Sequence, residues 1–158
     1  MPRSSEQTRQ RILDAAYRLF RRQGFGRVSM DEIAAATRVT KRTLYYHFES
    51  KDQLLAHVLE AQHRLALAAF KTFGDRLSWP SPRGGFFLWA TLPEPIEAER
   101  LLTRAVDHGV IYVSGDAFFV NGTGKNFVRL SFSAPTPDRI REGVRRLGSA
   151  VTEELVHC

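Results

Sequence analysis

The sequence predicts a multi-domain chain, α followed by α+β. Residues 1–62 should form a cluster of three or four helices, and residues 63–158 a small α+β sandwich in which a short sheet packs on helices. Three observations lead there. Apolar residues recur at helical spacing, with capping residues between the runs, as far as about Phe73. From Ser78-Trp-Pro-Ser-Pro-Arg-Gly-Gly85 onward the chemistry changes to aromatic and β-branched runs separated by Gly and Pro. Charge divides in the same direction: residues 1–52 hold 11 Lys+Arg against 6 Asp+Glu, a balance of +5, whereas residues 53–158 hold 12 against 11, a balance of +1. A basic first third points to a polyanionic partner, or more blandly to a solvated basic surface.

In chain order, Ile12, Ala16, Leu19 and Phe20 share one face of a helix over 7–23, with Arg9, Arg11, Arg18, Arg21 and Arg22 on the rest of its surface. Gly24 supplies a left-handed stop. Ser29 and Glu32 have capping-box spacing for a second helix, 30–37, whose Ile33 and Ala34 face inward. After a turn at Arg38-Val39, Thr40 caps a third helix in which Leu44 and Phe48, four residues apart, pack on one face. Glu49-Ser50 breaks the chain before a fourth helix from about Lys51. Two short helices joined by a tight turn and braced by a longer one make a helix-turn-helix unit. Its third helix carries cations for phosphates, and hydroxyls and aromatic rings for base edges and thymine methyls.

Further on, Phe86-Phe-Leu-Trp-Ala-Thr-Leu92 is suited to a strand, and Pro95 is expected in the first turn of a helix that ends before Gly109. Val110-Ile-Tyr-Val113 reads as a buried strand. Phe127 to Ser133 alternates, with Val128, Leu130 and Phe132 on one face and Phe127, Arg129 and Ser131 on the other. A last helix begins at Thr136-Pro137 and should bury Ile140, Val144, Leu147, Val151 and Leu155.

Several chemistries are excluded. Cys158 is the single cysteine, so no intramolecular disulfide forms, and a reducing, cytoplasmic setting is expected. The polar N-terminus lacks a signal core, and no apolar run is long enough to span a membrane. Gly122-Thr-Gly-Lys-Asn126 lacks the first glycine and the final hydroxyl of a phosphate loop and reads as a turn. The five histidines lack paired ligand spacing, so no metal is expected.

Residues 9–55 resemble the DNA-binding domain of the tetracycline-repressor (TetR) family of bacterial regulators. The likeness runs through Ile12-Leu-Asp-Ala-Ala-Tyr-Arg-Leu-Phe20, Gly24-Phe25, Ser29-Met-Asp-Glu-Ile-Ala34 and Thr40 to Leu54. It implies that the third helix enters the major groove of double-stranded operator DNA. Thr40, Lys41, Arg42, Thr43, Tyr45, Tyr46 and His47 would then contact groove or phosphate, and Lys51 the backbone. Two alternatives stay open: Tyr45 as a core residue closing the helical cluster, and His47 as a cap. The usual all-helical ligand-binding and dimerisation domain of that family does not follow.

Residues 63–155 instead resemble the small C-terminal domain of fold-type I pyridoxal-phosphate aminotransferases. Pro82-Arg-Gly-Gly-Phe-Phe-Leu-Trp89, Leu92-Pro93, Gly109-Val110, Gly115 with Phe118, Val128-Arg-Leu-Ser-Phe132 and Ile140-Arg-Glu-Gly143 carry the likeness. It implies that Arg129 grips a carboxylate with its planar fork. Ser114-Gly115 departs from the usual Pro-Gly. None of Lys41, Lys51, Lys71 and Lys125 stands in the context of the cofactor-bearing lysine, and the family's large domain is not in this sequence. The expectation is therefore no catalysis and no cofactor, with pyridoxal phosphate suggested by the resemblance alone.

Together these readings give a DNA-binding transcriptional regulator, a repressor by resemblance, with an aminotransferase-like part where the helical sensor would be. It would act as a homodimer, away from membranes, with a small carboxylate as effector. The alternatives are a non-catalytic fragment or subunit of an aminotransferase with an incidental helix-turn-helix, and a fusion with no evolved sensor. Trp79, Phe86, Trp89 and Phe118, with the fourth helix, are the candidates for self-association, unless those aromatics complete the small core.

Overall fold

The computed structural model describes residues 4–80 and 85–157, so residues 81–84 of the Pro- and Gly-rich turn, and Cys158, lie outside the described residues. The chain divides into two compact units, Met1–Ala61 and Gln62–Cys158.

The first unit holds α1 (Ser5–Gln23), α2 (Met30–Thr37), α3 (Lys41–His47) and the first half of α4 (Lys51–Phe70). Local chemistry sets each boundary. Ser4 caps α1 in a reciprocal box with Gln7, so the helix begins two residues upstream of the expected start at residue 7. Gly24 ends α1 at a φ of 84°, which a side chain would strain, and donates its N–H to the Phe20 carbonyl. Ser29 and Glu32 complete the expected box on α2. Arg38 then takes a left-handed φ of 55°, a position that usually favours glycine, and its N–H caps the Ala34 and Ala35 carbonyls. That reversal leaves only Arg38, Val39 and Thr40 between α2 and α3. The core of the unit gathers Ile12, Leu13, Ala16, Phe20, Val28, Ile33, Leu44, Phe48, Leu54 and Val58.

The second unit has β1 (Phe87–Thr91), α5 (Ala98–Asp107), β2 (Val113–Ser114), β3 (Phe127–Ser131) and α6 (Pro137–Val156), with short 3-10 turns at Lys71–Arg76 and Gly115–Phe118. The sheet is antiparallel in the order β1-β3-β2, so β3 is central. Trp89 and Val113 lie opposite Arg129, and Ala90 and Ser114 opposite Val128. One face therefore presents Leu88, Ala90 and Val128 to Leu101 and Ala105 of α5 and to Ile140, Val144, Leu147 and Val151 of α6. The other face carries Phe87, Trp89, Val113 and Arg129.

Three expectations are corrected. Pro95 is not in the first turn of a helix: α5 starts at Ala98, and Pro95 follows a cis bond in the preceding connection. The Leu92 and Ala98 N–H groups donate to the Asn126 and Lys125 carbonyls at 2.7 and 2.6 Å, so this connection is tied to the 122–126 turn before the helix can begin. Val110 to Val113 is not a buried strand. Val110 and Tyr112 are buried, Ile111 and Val113 are exposed, and only Val113 and Ser114 join the sheet. The Val110 N–H on the Ala105 carbonyl and the Tyr112 hydroxyl on the Ala98 carbonyl hold this stretch to α5 instead. Finally, α6 buries Glu154 rather than Leu155.

Glu154 is 3% exposed. Arg104 donates Nε to it at 2.6 Å and Arg100 lies at 3.1 Å. The Arg104 hydrogen bond foremost, with the Arg100 charge, holds its carboxyl below the usual carboxylate range. A carboxylate lowered in the fold stabilises it fully above the ordinary value, and the contribution is lost as pH falls through the lowered one. Glu154→Gln should thus cost about 2 kcal/mol at neutral pH, below the range for a fully buried pair because both arginines reach solvent. Urea unfolding at neutral and at acid pH checks this: the gap between variant and native protein should narrow in acid.

Candidate nucleic-acid interface

The candidate interface is built on α3. Leu44 and Phe48 are both 0% exposed and anchor the helix in the core. Phe48 also lies under the Arg9 guanidinium, 5.2 Å from its ring centre, and edge-on to His57. With that face fixed, the remaining side chains turn outward. Thr40 accepts the Thr43 N–H at 3.1 Å, and the two hydroxyls lie 2.8 Å apart. Arg42 is exposed and, among the described residues, forms no ion pair. Tyr46 is 81% exposed, and the half-buried His47 packs edge-on against its ring. Tyr45 is 42% exposed, so it does not close the helical core.

Two of the sequence candidates are engaged by the protein itself. Lys41, the first residue of α3, contacts both oxygens of Asp31 on α2, at 2.9 and 3.1 Å. Lys51, the first residue of α4, donates to the Phe25 and Val28 carbonyls at 2.9 and 3.0 Å and sits 4.4 Å above the Phe25 ring. Its ammonium thus holds the α1–α2 connection, leaving it at most one N–H for a phosphate. The α1 arginines divide as well. Arg11 donates to the Thr37 carbonyl and Arg9 reaches His57, while Arg18, Arg21 and Arg22 are exposed. Sequence reading missed these anchoring roles because the partners lie 10 to 48 residues away and no helical spacing signals them.

In the second unit Arg129 lies on the outer face of the sheet between two aromatic rings, 4.3 Å from the centre of Phe87 and 4.5 Å from that of Phe118. Trp89 meets Phe118 edge-on at 5.1 Å. The Arg129 Nε and the Ser114 hydroxyl are buried and, among the described residues, have no hydrogen-bond partner. Of the aromatics expected at the surface, Phe86 and Phe118 are about half exposed and Trp89 is half-buried, while Trp79 packs on Phe70 of the core. Gly115 is fixed by close approach: a Cβ there would lie 2.5 Å from the Gly124 carbonyl oxygen.

The donor set does not fit pyridoxal phosphate. Lys71 and Lys125 are the lysines of this unit and both are exposed, Lys125 being paired with Glu97. A covalent link to the cofactor calls for an enclosed amine, and neither supplies one. Among the described residues no cluster of His, Cys, Asp and Glu could hold a metal, and no helix is long and apolar enough to cross a membrane.

Residues 12–58 match the family model of bacterial regulatory proteins of the tetR family. The chain is 43% identical over 146 residues to the HTH-type transcriptional regulator AcrR of Shigella flexneri, covering 89% of this chain and 64% of that protein. It is 46% identical over 81 residues to aromatic-amino-acid aminotransferase 1 of Thermococcus litoralis, covering 51% of this chain and 19% of that enzyme. Among solved structures, LysN, the alpha-aminoadipate aminotransferase of Thermus thermophilus, superposes with a TM-score of 0.63 at 31% identity, over 81% of this chain and 35% of its own. The first part of the chain thus carries a tetR-type helix-turn-helix domain, and the C-terminal part matches aminotransferase C-terminal regions in sequence and in structure. The chain spans about a fifth to a quarter of the length of the aminotransferases it matches.

Proposed function

We propose that this protein is a DNA-binding transcriptional regulator of the tetR type, a repressor that acts without catalysis and without a bound cofactor. The observation that carries the reading is α3: a helix locked in place by Leu44 and Phe48 that turns Thr40, Arg42, Thr43, Tyr45, Tyr46 and His47 to solvent beside Lys41. Arg42 is the group best placed for guanine edges or phosphate, and the tyrosine hydroxyls for phosphate and base. Lys51 acts chiefly by holding the loop that carries α2. Arg129, between its two rings and with an unpartnered Nε, is the position where a small carboxylate effector would be recognised.

The test is duplex binding across a salt series. Log affinity should fall linearly with log salt, with a slope of several units, since each neutralised phosphate contributes about 0.9. Affinity that is flat with salt would remove the reading.

Operators read by such heads are near-palindromic, with half-sites about one helical turn apart, so the active form is a two-fold homodimer. The outer sheet face with Phe86, Trp89 and Phe118, together with α4, supplies the contact. Trp79 is set aside because it packs on the core. Equilibrium sedimentation at micromolar concentration should give a dimer that Trp89→Ser converts to monomer with the fold kept. A strict monomer that binds one half-site weakly would count against it.

A further inference from the structure

We propose that Asp31 is a specificity-determining residue of the DNA-binding face, acting by holding Lys41 away from phosphates that do not belong to the operator. The inference rests on the DNA-binding reading above and adds to it a residue that itself touches no base.

Asp31 is the second residue of α2 and Lys41 the first of α3, and the ammonium meets both carboxylate oxygens across the turn, at 2.9 and 3.1 Å. Both side chains are well over half exposed, so solvent screens the pair and it adds little to folding. Nor does α3 gain from a cation at its first position, where the backbone dipoles present their positive end. The carboxylate, by contrast, suits the start of α2. The pair therefore compensates a lysine placed where helix formation disfavours it.

Consequences for binding follow from what Lys41 must release. A solvated lysine that reaches a phosphate sets free a condensed counterion, which adds about 0.9 to the salt slope. Lys41 must instead give up Asp31, and the freed carboxylate then faces the polyanion. Every duplex meets this cost. Only an operator that offers Lys41 a well-placed acceptor, or seats Arg42 and Tyr46 fully, offsets it.

The experiment measures binding of the full chain to a random-sequence duplex and to the duplex selected by the native protein from a randomised pool. Asp31→Asn should tighten random-duplex binding about fivefold, equivalent to about 1 kcal/mol, and steepen its salt slope by about one unit. Selected-duplex affinity should change less, so the specificity ratio falls. Asp31→Glu should restore the native ratio. In a Lys41→Met background the Asp31→Asn change should have a smaller effect on affinity and leave the salt slope as it is, because only the repulsion of a free carboxylate is then removed. The proposal is overturned if Asp31→Asn leaves random-duplex affinity and slope unchanged, or raises them equally without Lys41. If the native protein binds no duplex, the DNA-binding reading falls with it; if it binds and Asp31→Asn behaves as native, only the role of Asp31 falls.

Discussion

Phe48→Ala should unfold the first unit and abolish duplex binding while the second unit stays folded. Phe48 is 0% exposed and closes α3 onto the core made with Ile12, Leu44 and Leu54. Truncating a buried phenylalanine costs about 3–5 kcal/mol. A core in a unit of about 60 residues rarely supplies more than that. The loss also frees the Arg9 guanidinium and the His57 ring that rest on it. The two tryptophans, Trp79 and Trp89, both belong to Gln62–Cys158, so their emission follows the second unit alone. The expected result is a marked loss of helical circular dichroism with the tryptophan unfolding transition kept. A variant with native helical signal and native duplex affinity would contradict the assignment of Phe48 as the anchor.

Arg42→Ala should leave the fold intact and weaken operator binding by about 10- to 100-fold, the equivalent of losing one good bidentate base contact at about 1–3 kcal/mol. Arg42 is exposed and, among the described residues, forms no ion pair, so its removal does not disturb the core. The loss should concentrate on the preferred sequence. Repeating selection from a randomised duplex pool with the variant should relax preference at one position of each half-site. An even loss across all sequences would instead make Arg42 a phosphate contact.

Legibility in the sequence followed the range of the interactions. Helices α1 to α4 were readable because capping boxes, a terminating glycine and 3.6-residue periodicity all act within about four residues. The Ser29–Glu32 box and the Leu44–Phe48 face stand as expected. For β3 the expected face holds in part: Val128 and Phe132 are buried, whereas Leu130 is only half-buried, like Arg129 beside it. What could not be read was set by distant partners. Val110 to Val113 looked like a strand from composition, yet α5 claims its backbone and the Tyr112 hydroxyl. Leu155 was expected inside α6, but Arg104, 50 residues before Glu154, draws Glu154 inside instead. For the candidate interface, residue types announced outward-facing cations and rings on α3. They did not announce that Asp31 and two loop carbonyls already engage Lys41 and Lys51.

The strand order β1-β3-β2 also has a consequence for synthesis. The central strand is the last of the three to leave the ribosome, some 36 residues after the end of β1 at Thr91. At about 5–20 residues per second, β1 waits roughly 2–7 s for its partner. Throughout that interval Phe86, Phe87, Leu88 and Trp89 are an unpaired aromatic segment on a nascent chain, whereas the helical unit, whose contacts are local, can already be folded. Yield in cells should therefore depend more on chaperone supply and translation speed between Thr91 and Phe127 than on the stability of the finished protein.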